Sequence, residues 1–443
     1  MPSAAADAAA TDMTTLNRKL AAATCALLGS ALVTPVDARE EPDWDFNTSL
    51  LYYGEDGDRV QDLSFKSLSR RLFTDDRTLS IGLTVDTLTG ATPSGAIRQD
   101  IPQTFTRPSG NGSYEVPAGE LPLDDTFKDT RLALTLGWRQ PVFEKGLFDV
   151  GVSASKEYDY LHTGLNASYA HDFNNRNTTV SAGFAFAKDS IEAVGGAPIP
   201  FTAMRDVGDL GNRQGDQDKD VLDFVLGVTQ VVSRDLLFQV NYSYSRSEGY
   251  LNNPYKVLSL VDGVTGDTVQ RTPGPEGGPS GVFLFEGRPE ERTQHSLYAQ
   301  AKYNMSGKVL DVSYRYMTDD WEIDSHTIDL RYRWPIGDRS YLEPHLRFYT
   351  QTEADFYRLS LDDSVALPAF ASSDYRMGNF DGTTVGLKYG WKTRNDNEMS
   401  VRVEWYMQSG TVPADQVIGN QAGRDNYPDL NALIAQFSYR FSN

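Results

Sequence analysis

The chain has 443 residues, a net charge of −20 and a mean hydropathy of −0.45, yet Phe, Tyr and Trp make up 11% of it. The acidic balance excludes nucleic-acid binding through a basic surface. Beyond the N-terminus no segment reaches the roughly 18 apolar residues of a membrane helix. An aromatic-rich chain of this kind is either a set of soluble domains or one large β-barrel.

The N-terminus has the composition of a secretory signal peptide. Two basic residues, Arg18 and Lys19, precede an apolar stretch over residues 20–33, and residues 36–38 (VDA) resemble a cleavage site. The single cysteine, Cys25, lies within the apolar stretch. The mature chain is therefore expected to hold no disulfide, thiolate metal site or covalently attached haem.

This interpretation divides the chain into three parts. Residues 1–38 are an N-terminal extension and signal peptide, with Met13 as the true start and cleavage after Ala38. Residues 39–43 are a short periplasmic lead. Residues 44–443 form one mature domain, because no internal repeat or second domain is evident.

The mature domain alternates apolar and polar residues. In the hairpin over residues 314–334, Ile328 and Leu330 share one phase, and Asp329 and Arg331 share the other. Successive side chains of a strand point to opposite faces, so such a strand meets lipid on one side and water on the other. The period predicts sixteen strands: 44–53, 60–70, 77–88, 127–138, 147–157, 160–171, 177–189, 219–232, 236–247, 291–303, 308–318, 323–334, 340–351, 382–391, 398–409 and 430–441.

The connections support this count, because short turns follow even-numbered strands and long loops follow odd-numbered strands. The short turns are 74–76, 140–146, 174–176, 233–235, 305–307, 335–338 and 394–396. The long connections are 89–126, 190–218, 248–290, 352–381 and 410–429. Within the third of these, residues 272–281 (TPGPEGGPSG) are predicted to form neither strand nor helix.

We predict an all-β protein: a single transmembrane antiparallel β-barrel of about 16 strands in a Gram-negative outer membrane. Short turns and both termini face the periplasm, and long loops face the medium. The last strand carries alternating Phe437, Tyr439 and Phe441, which suits recognition by barrel-assembly machinery. Outer-membrane lipid and lipopolysaccharide are expected to surround the barrel, and the pattern leaves open a periplasmic partner.

Three stretches carry a family resemblance: residues 85–96 (VDTLTGATPSGA), 314–330 (YRYMTDDWEIDSHTIDL) and 344–357 (PHLRFYTQTEADFY). In sequence, order and position they resemble the outer-membrane β-barrel family catalogued as domain of unknown function 3570. The resemblance implies a Gram-negative outer-membrane barrel and no established activity. The residues that stand out in these stretches are Asp86, Gly90, Pro93, Gly95, Trp321, Ser325 and His326.

Charged residues fill the inward phase of three neighbouring strands. Matching the apolar phases sets Asp311 opposite Arg331, Arg331 opposite His345, and Asp329 opposite Arg347. Cross-strand pairs of opposite charge stabilise a sheet, whereas charges at a constriction select ions. The ladder is therefore either a polar wall held by ion pairs or a selectivity site; its members are Asp311, Arg315, Asp329, Arg331, Arg333, Glu343, His345 and Arg347.

An acidic cluster is expected at the extracellular rim. Carboxylates at such density suit Ca²⁺, although their spacing is not that of an EF-hand loop. The alternative is a solvated acidic rim, and no other cofactor is expected. The candidate ligands are Asp319, Asp320, Asp324, Glu353 and Asp355.

A catalytic site has little support. His326 lies in the outward phase across from Thr350, while the adjacent Ser325 points to the other face, so a Ser–His pair of a lipid hydrolase is not expected. Asp86 precedes a Gly-rich turn over residues 90–95 that lacks the Lys and helix of a P-loop. We interpret Asp86 as a loop anchor and His326 as a rim histidine.

The first functional hypothesis is a porin-like channel for small hydrophilic solutes, because barrels of 16–18 strands are wide enough to leave an aqueous channel. The alternative is a non-conducting scaffold that docks a periplasmic or surface partner, and an outer-membrane lipid hydrolase is remote. The position of residues 248–290 separates the first two. Inside the lumen they would constrict or plug it; outside they would form a surface cap.

Overall fold

In the computed structural model, which describes residues 43–57, 59–271 and 280–442, sixteen strands close into one antiparallel barrel. Each strand pairs with the next along the chain, and the last pairs with the first. They are β1 Asp43–Glu55, β2 Gln61–Leu72, β3 Thr78–Pro93, β4 Leu123–Val142, β5 Gly146–Lys156, β6 Tyr160–Phe173, β7 Thr178–Ile191, β8 Gln217–Val231, β9 Leu236–Gly249, β10 Glu291–Met305, β11 Lys308–Asp319, β12 Asp324–Ile336, β13 Ser340–Gln351, β14 Asn379–Lys392, β15 Glu398–Thr411 and β16 Leu430–Ser442.

The predicted fold class and strand count are confirmed. The signal peptide predicted over residues 1–38 lies outside the described residues, and so does the lead over 39–43 except for Asp43, which begins β1. No helix in the part of the chain that the structure describes is long and apolar enough to cross a membrane.

The outer face of the barrel is an apolar belt. Alternation places one residue in two outside, where Leu132 and Val152 remain 56% and 54% exposed. An exposed apolar surface of this extent matches lipid rather than water. Other members of the belt are Leu83, Leu165, Leu226, Leu297, Ile328, Phe348, Val385, Val403 and Phe437.

Aromatic side chains border the belt near the short turns. The rings of Phe46 and Phe441 stack with their centroids 4.8 Å apart across the β1–β16 closure. Phe73 lies 5.7 Å from Trp138 by the same measure. Aromatic girdles of this kind stand at the membrane–water interfaces of transmembrane barrels.

One pair of strands is longer than predicted. β3 continues to Pro93 and β4 begins at Leu123, so part of the predicted loop 89–126 is strand. The register shifts between Gly90 and Thr92, which marks a β-bulge in the ladder. The alternation of apolar side chains ends before the bulge, whereas backbone pairing continues past it. The side-chain period therefore predicts a strand end that is too early.

Eight connections, here L1–L8, lie at one end of the barrel, the loop end; the short turns lie at the other, the turn end. They are L1 56–60, L2 94–122, L3 157–159, L4 192–216, L5 250–290, L6 320–323, L7 352–378 and L8 412–429. Their short strands are Gln103–Thr106, Ser113–Val116, Ala197–Pro198, Arg213–Gln214, Val257–Val261, Gln270–Arg271, Ser280–Gly281, Phe283–Phe285 and Leu361–Asp362. The 3-10 helices are Asn174–Arg176 in a turn, Tyr375–Met377 in L7, and Ala414–Gln416 and Gly419–Gly423 in L8.

The long loops pack into one body, which we call the cap. L2 leaves the barrel between β3 and β4 and L5 leaves it between β9 and β10, so contacts between them span the mouth. The Ile97 backbone N–H donates to Ser259 Oγ at 3.1 Å, and Val257 N–H donates to the Ser94 carbonyl at 3.0 Å. L5 also binds L8, because Gln421 Nε2 donates to the Gly266 carbonyl at 3.2 Å.

The cap has its own apolar core. The rings of Phe105 in L2 and Phe283 in L5 are fully or almost fully buried, with their centroids 4.4 Å apart. Burial of apolar surface of this kind is the main force that can hold several loops together. Further buried members are Ala96, Ile97, Val116, Val257, Leu258, Val261, Leu284, Phe285, Leu359, Leu361 and Ala371.

Part of the prediction for residues 272–281 is wrong. Residues 272–279 lie outside the described residues, but Ser280–Gly281 forms a short antiparallel strand with Gln270–Arg271. Gly and Ser have low strand propensity, yet a partner strand held by the cap supplies the hydrogen bonds. Tertiary packing thus overrides local preference here.

Candidate functional site

The charged ladder on the inner wall has the predicted register. Asp311 faces Arg331 between β11 and β12, and Arg331 faces His345 between β12 and β13. Asp329 faces Arg347 across the same pair of strands. Pairing is interrupted at Pro344 but keeps its register on both sides, which sets Arg333 across from Glu343, and Arg315 faces Thr327.

The ion pairs within the ladder differ from the cross-strand pairs that the register predicts. Arg331 Nε lies 3.3 Å from Asp329 Oδ1 on its own strand, rather than bonding Asp311. Asp311 instead lies 3.4 Å from Lys302 Nζ and accepts from Gln300 Nε2 at 2.7 Å. The reason is that Asp311 faces a cation on each neighbouring strand, and Lys302 is directly opposite it on β10.

The other three arginines of the ladder each make different contacts. Arg333 stacks on the Tyr341 ring at 3.6 Å, with Nη2 3.8 Å from Glu398 Oε1. Arg315 lies 5.5 Å above the Tyr298 ring. Arg347 Nε is buried without a hydrogen-bond partner among the residues that the structure describes.

His345 joins two carboxylates inside the lumen. Its Nε2 lies 2.9 Å from Asp329 Oδ2 and its Nδ1 lies 2.8 Å from Glu404 Oε1 on β15. Both ring nitrogens donate when the ring is imidazolium, so the charged ring satisfies both carboxylates. The three side chains tie β12, β13 and β15 together across the inner wall.

A cavity of about 160 Å³ lies beside this triad and is here called the lumen chamber. Five strands supply its wall, which has three basic side chains, two carboxylates and a histidine. The lining residues are Arg331, Glu343, His345, Lys388, Ser400, Arg402, Glu404, Gln436 and Ser438.

Two arginines that line the chamber are more exposed than the carboxylates with which they pair. The Arg331 side chain is 44% exposed and that of its partner Asp329 is 16% exposed. Arg402 is 32% exposed and Glu404 is 6% exposed. Because Asp329 and Glu404 lie against the wall, the two guanidinium groups present more of their charge to the cavity than these partners do.

Buried charges connect the cap above the lumen. Arg288 of L5 donates to Asp374 of L7 at 2.8 Å, and Arg376 bonds the same carboxylate. Burial opposes ionisation of Asp374, but Arg376 and Arg288 outweigh it and hold the pKa of that carboxyl well below its usual range. Burial lowers the pKa of Lys256 to about 8.

The residues of the first family stretch are where loops dock on β3. Gly90 has a φ of +129°, and a Cβ there would lie 2.4 Å from the Arg59 carbonyl oxygen of L1. Gly95 has a φ of +96°, and a Cβ there would lie 2.5 Å from the Val257 carbonyl oxygen of L5. Only glycine suits both the backbone conformation and the close approach.

Two other residues of this stretch also serve contacts of the loop end. The Pro93 carbonyl accepts a hydrogen bond from the buried Lys256 ammonium. Asp86 points inward and accepts from Arg131 Nε at 2.7 Å across the β3–β4 pair. Asp86 is therefore held by its neighbouring strand.

The second family stretch builds the corner between β11 and β12. Trp321 donates from Nε1 to the Glu291 carbonyl at 2.9 Å, and Arg292 lies 4.4 Å above its ring. Ser325 is buried on the inner side, whereas His326 is exposed on the outer side, with its Nδ1 2.7 Å from the Tyr314 hydroxyl. The two side chains therefore face opposite sides of the barrel wall.

A model of the family described as protein of unknown function (DUF3570) matches residues 17–441 of the sequence. The chain belongs to the DUF3570 family. This confirms the resemblance carried by the three sequence stretches. Among curated proteins no match was found.

Several solved outer-membrane structures are similar to the DUF3570 barrel at low identity. OccK5 (OpdH) of Pseudomonas aeruginosa is 8% identical over 92% of this chain and 100% of its own, with a TM-score of 0.40. A bacterial polysaccharide outer membrane secretin is 9% identical over 91% and 99%, with a TM-score of 0.41. The ferric enterobactin receptor (PfeA) in complex with BCV-L6 is 9% identical over 86% and 56%, with a TM-score of 0.42. This chain spans a little over half the length of that receptor, and similarity at this level carries no information on solute or partner.

The predicted rim carboxylates of the DUF3570 barrel have mostly structural contacts. Asp319 accepts from Arg292 Nε at 2.8 Å and from the Ile323 backbone N–H at 2.9 Å. Asp320 accepts from the Thr293 N–H at 2.9 Å, and Asp324 from the Tyr316 hydroxyl at 2.9 Å.

The remaining two rim carboxylates lie in L7. Asp355 is exposed, and burial together with the neighbouring Asp415 raises the pKa of Glu353. Among the described residues, none of the five rim residues belongs to a group of three acidic side chains whose oxygens lie within 4.8 Å of one another.

That geometry occurs elsewhere, at residues that the sequence analysis missed. One oxygen from each of Asp129, Glu157 and Asp159 lies within 4.8 Å of the others, and all three residues are buried. The β4–β5 ladder ends at Leu132 and Lys156, and L3 continues from there to lie against Asp129, whose Oδ1 accepts the Tyr158 N–H at 3.1 Å. Finding it required the β4–β5 register, which the longer predicted turn at 140–146 obscured.

Proposed function

We propose that the protein is an outer-membrane channel for small hydrophilic solutes with a preference for anions. The observation that carries the proposal is the lumen chamber, where the exposed Arg331 and Arg402 guanidiniums face the cavity and their carboxylate partners lie against the wall. In a narrow pore with low-dielectric walls, charge is weakly screened, so exposed groups of one sign raise the local concentration of the opposite ion.

The location follows from the outer face. An apolar belt bordered by aromatic rings is solvated by lipid, so we place the barrel in an outer membrane, surrounded by lipid and lipopolysaccharide and inserted by barrel-assembly machinery. We place the loop end outside and both termini in the periplasm. The alternation of short turns with long loops supports this orientation.

The orientation is tested by cysteine labelling. Val264 in L5 is 84% exposed, and Asn395 lies in an exposed turn between β14 and β15. Val264→Cys should react with an impermeant maleimide on intact cells, whereas Asn395→Cys should react only after the outer membrane is permeabilised. The mature chain is expected to hold no other cysteine, so the labelling background should be low. Labelling of Asn395→Cys alone on intact cells would show that the barrel has the opposite orientation.

The channel is tested by recording current across a planar bilayer with the purified protein. Stepwise currents with a reversal potential on the anion side of a KCl gradient are the expected result. A cation-selective current would contradict the anion preference while keeping the channel. Silence at all voltages, with insertion verified by heat-dependent gel migration, would contradict conduction.

The second candidate is a non-conducting scaffold. The observation that favours it is the cap, because L2 and L5 meet across the mouth and bury an apolar core there. A closed cap would offer a fixed surface to a partner outside the cell, while the turn end would face a periplasmic partner.

We give transport precedence over catalysis because Ser325 and His326 face opposite sides of the wall and do not form a catalytic pair.

A further inference from the structure

We propose that Asp129, Glu157 and Asp159 bind one Ca²⁺ ion at the loop end of the barrel. This site is separate from the lumen chamber and does not depend on the proposed transport function. Asp129 lies in β4, and the other two belong to L3, the tight connection between β5 and β6. Their side chains converge because L3 lies against Asp129, whose Oδ1 accepts the Tyr158 backbone N–H at 3.1 Å.

The first support is spacing. One oxygen from each residue lies within 4.8 Å of the others. Ca²⁺ binds oxygen at about 2.3–2.6 Å, so two ligands of one ion stand up to about 5 Å apart. Mg²⁺ binds at about 2.0–2.1 Å and demands a tighter octahedron. Separations within 4.8 Å are compatible with Ca²⁺, which also accepts the irregular oxygen geometry of a loop, with water completing its coordination.

The second support is a buried oxygen of Asp129. The residue is 5% exposed, and its Oδ1 accepts the backbone N–H groups of Thr130 at 2.7 Å and Tyr158 at 3.1 Å. Its Oδ2 is buried and has no hydrogen-bond partner within the described part of the chain. A buried carboxylate oxygen without a partner is costly, and a cation shared with the two neighbouring carboxylates removes that cost.

The third support is local charge. Asp129, Glu157 and Asp159 are 5%, 5% and 1% exposed, and one oxygen of each lies within 4.8 Å of the others. Carboxylates that are buried this close together repel one another when they are ionised. Arg131 lies 3.8 Å from Glu157, but it already bonds Asp86 at 2.7 Å. A divalent cation between the three carboxylates would reduce their mutual repulsion.

The ion would also fasten the cap. The Tyr255 hydroxyl of L5 donates to Asp159 Oδ2 and accepts from the Val194 N–H of L4 at 3.0 Å. Fixing Asp159 by an ion therefore fixes the point where L4 and L5 meet the barrel rim.

The test is calcium titration of refolded, lipopolysaccharide-free protein in a zwitterionic detergent, after removal of metal with a chelator. Calorimetry should give about one equivalent of Ca²⁺, with affinity in the range of roughly 10⁻⁴ M or tighter. Mg²⁺ should bind more weakly, and Ca²⁺ should raise the unfolding temperature. Absence of saturable binding at millimolar Ca²⁺ overturns the site.

Matched substitutions locate the ion. Asp129→Asn keeps Oδ1 for the Thr130 and Tyr158 N–H groups but removes the charge, and it should weaken calcium binding on the order of tenfold or more. Asp320→Asn makes the same change at the predicted rim and should leave binding unchanged. Loss of binding in Asp320→Asn, with Asp129→Asn unaffected, overturns the proposal in favour of the rim.

A folding defect is separated from lost binding by a second variant. Heat-dependent gel migration scores the folded barrel of each protein before titration. If Asp129→Asn does not refold, Glu157→Gln should refold and show the weaker binding. If neither refolds, terbium competing with calcium on the wild type decides, because nearby tyrosines should sensitise its luminescence. Absence of calcium-displaceable luminescence then overturns the site.

Discussion

Shortening L5 should raise the single-channel conductance several-fold. L5 and L2 leave the barrel at different points of its rim and contact each other, so we expect L5 to obstruct entry to the lumen. A variant in which a short Gly-Ser turn replaces residues 252–287 keeps β9 and β10 intact while removing that cover. A barrel of 16 strands without a loop across it leaves a wide aqueous channel. Planar-bilayer recording measures the change.

A point substitution tests the same idea without a deletion. Phe283→Ala removes a ring that is 2% exposed and packs on Phe105. Such a change costs about 3–5 kcal/mol, which should loosen the cap and make the current flicker between small and large levels. Phe348→Ala is the matched control, because that ring is 48% exposed on the lipid face. An unchanged conductance in both cap variants would show that the cap is not the constriction.

The barrel is predictable from sequence for a physical reason. A strand between lipid and water must alternate, so the phase of Ile328 and Leu330 against Asp329 and Arg331 encodes the wall directly. Tight hairpins then transmit that phase to the neighbouring strand, which is why the register at Asp329 and Arg347 is confirmed. Strand ends are less certain, because backbone pairing continues past the apolar run, as it does in β3 to Pro93.

The cap is not predictable in the same way. Its contacts join residues far apart along the chain, such as Ile97 with Ser259, in segments that have no period. The Gly-rich turn over residues 90–95 predicts a loop but does not reveal that the L1 and L5 backbones approach Gly90 and Gly95. The register also does not determine which side chains of the ladder form ion pairs, because a long side chain such as Arg331 reaches along its own strand as easily as across it.

The acidic residues are likewise only partly predictable from the sequence. Density along the sequence directed attention to the rim around Asp320, where the carboxylates mostly cap backbone N–H groups or bond neighbours. The converging set joins Asp129 to Glu157 and Asp159 across a hairpin. Convergence depends on register and burial, which density along the sequence does not measure.

Removing two exposed guanidiniums from the lumen should reverse the ion preference of the channel. The double variant Arg331→Gln, Arg402→Gln leaves Asp329 and Glu404 in place but deletes the cations that cover them. With its weakly screened wall made more negative, the pore should favour cations. The reversal potential in a KCl gradient should therefore change sign relative to the wild type.

Arg347→Ala should shift the reversal potential in the same direction but by less. Arg347 lies across from Asp329 on the same wall. Arg77→Gln is the control, since Arg77 lies in the β2–β3 turn and pairs with Asp75 outside the ladder. Loss of a solvent-accessible ion pair costs roughly 0–1 kcal/mol, so all these barrels should still fold and insert. A conducting wild type whose reversal potential ignores the double variant would place the ion path away from the chamber.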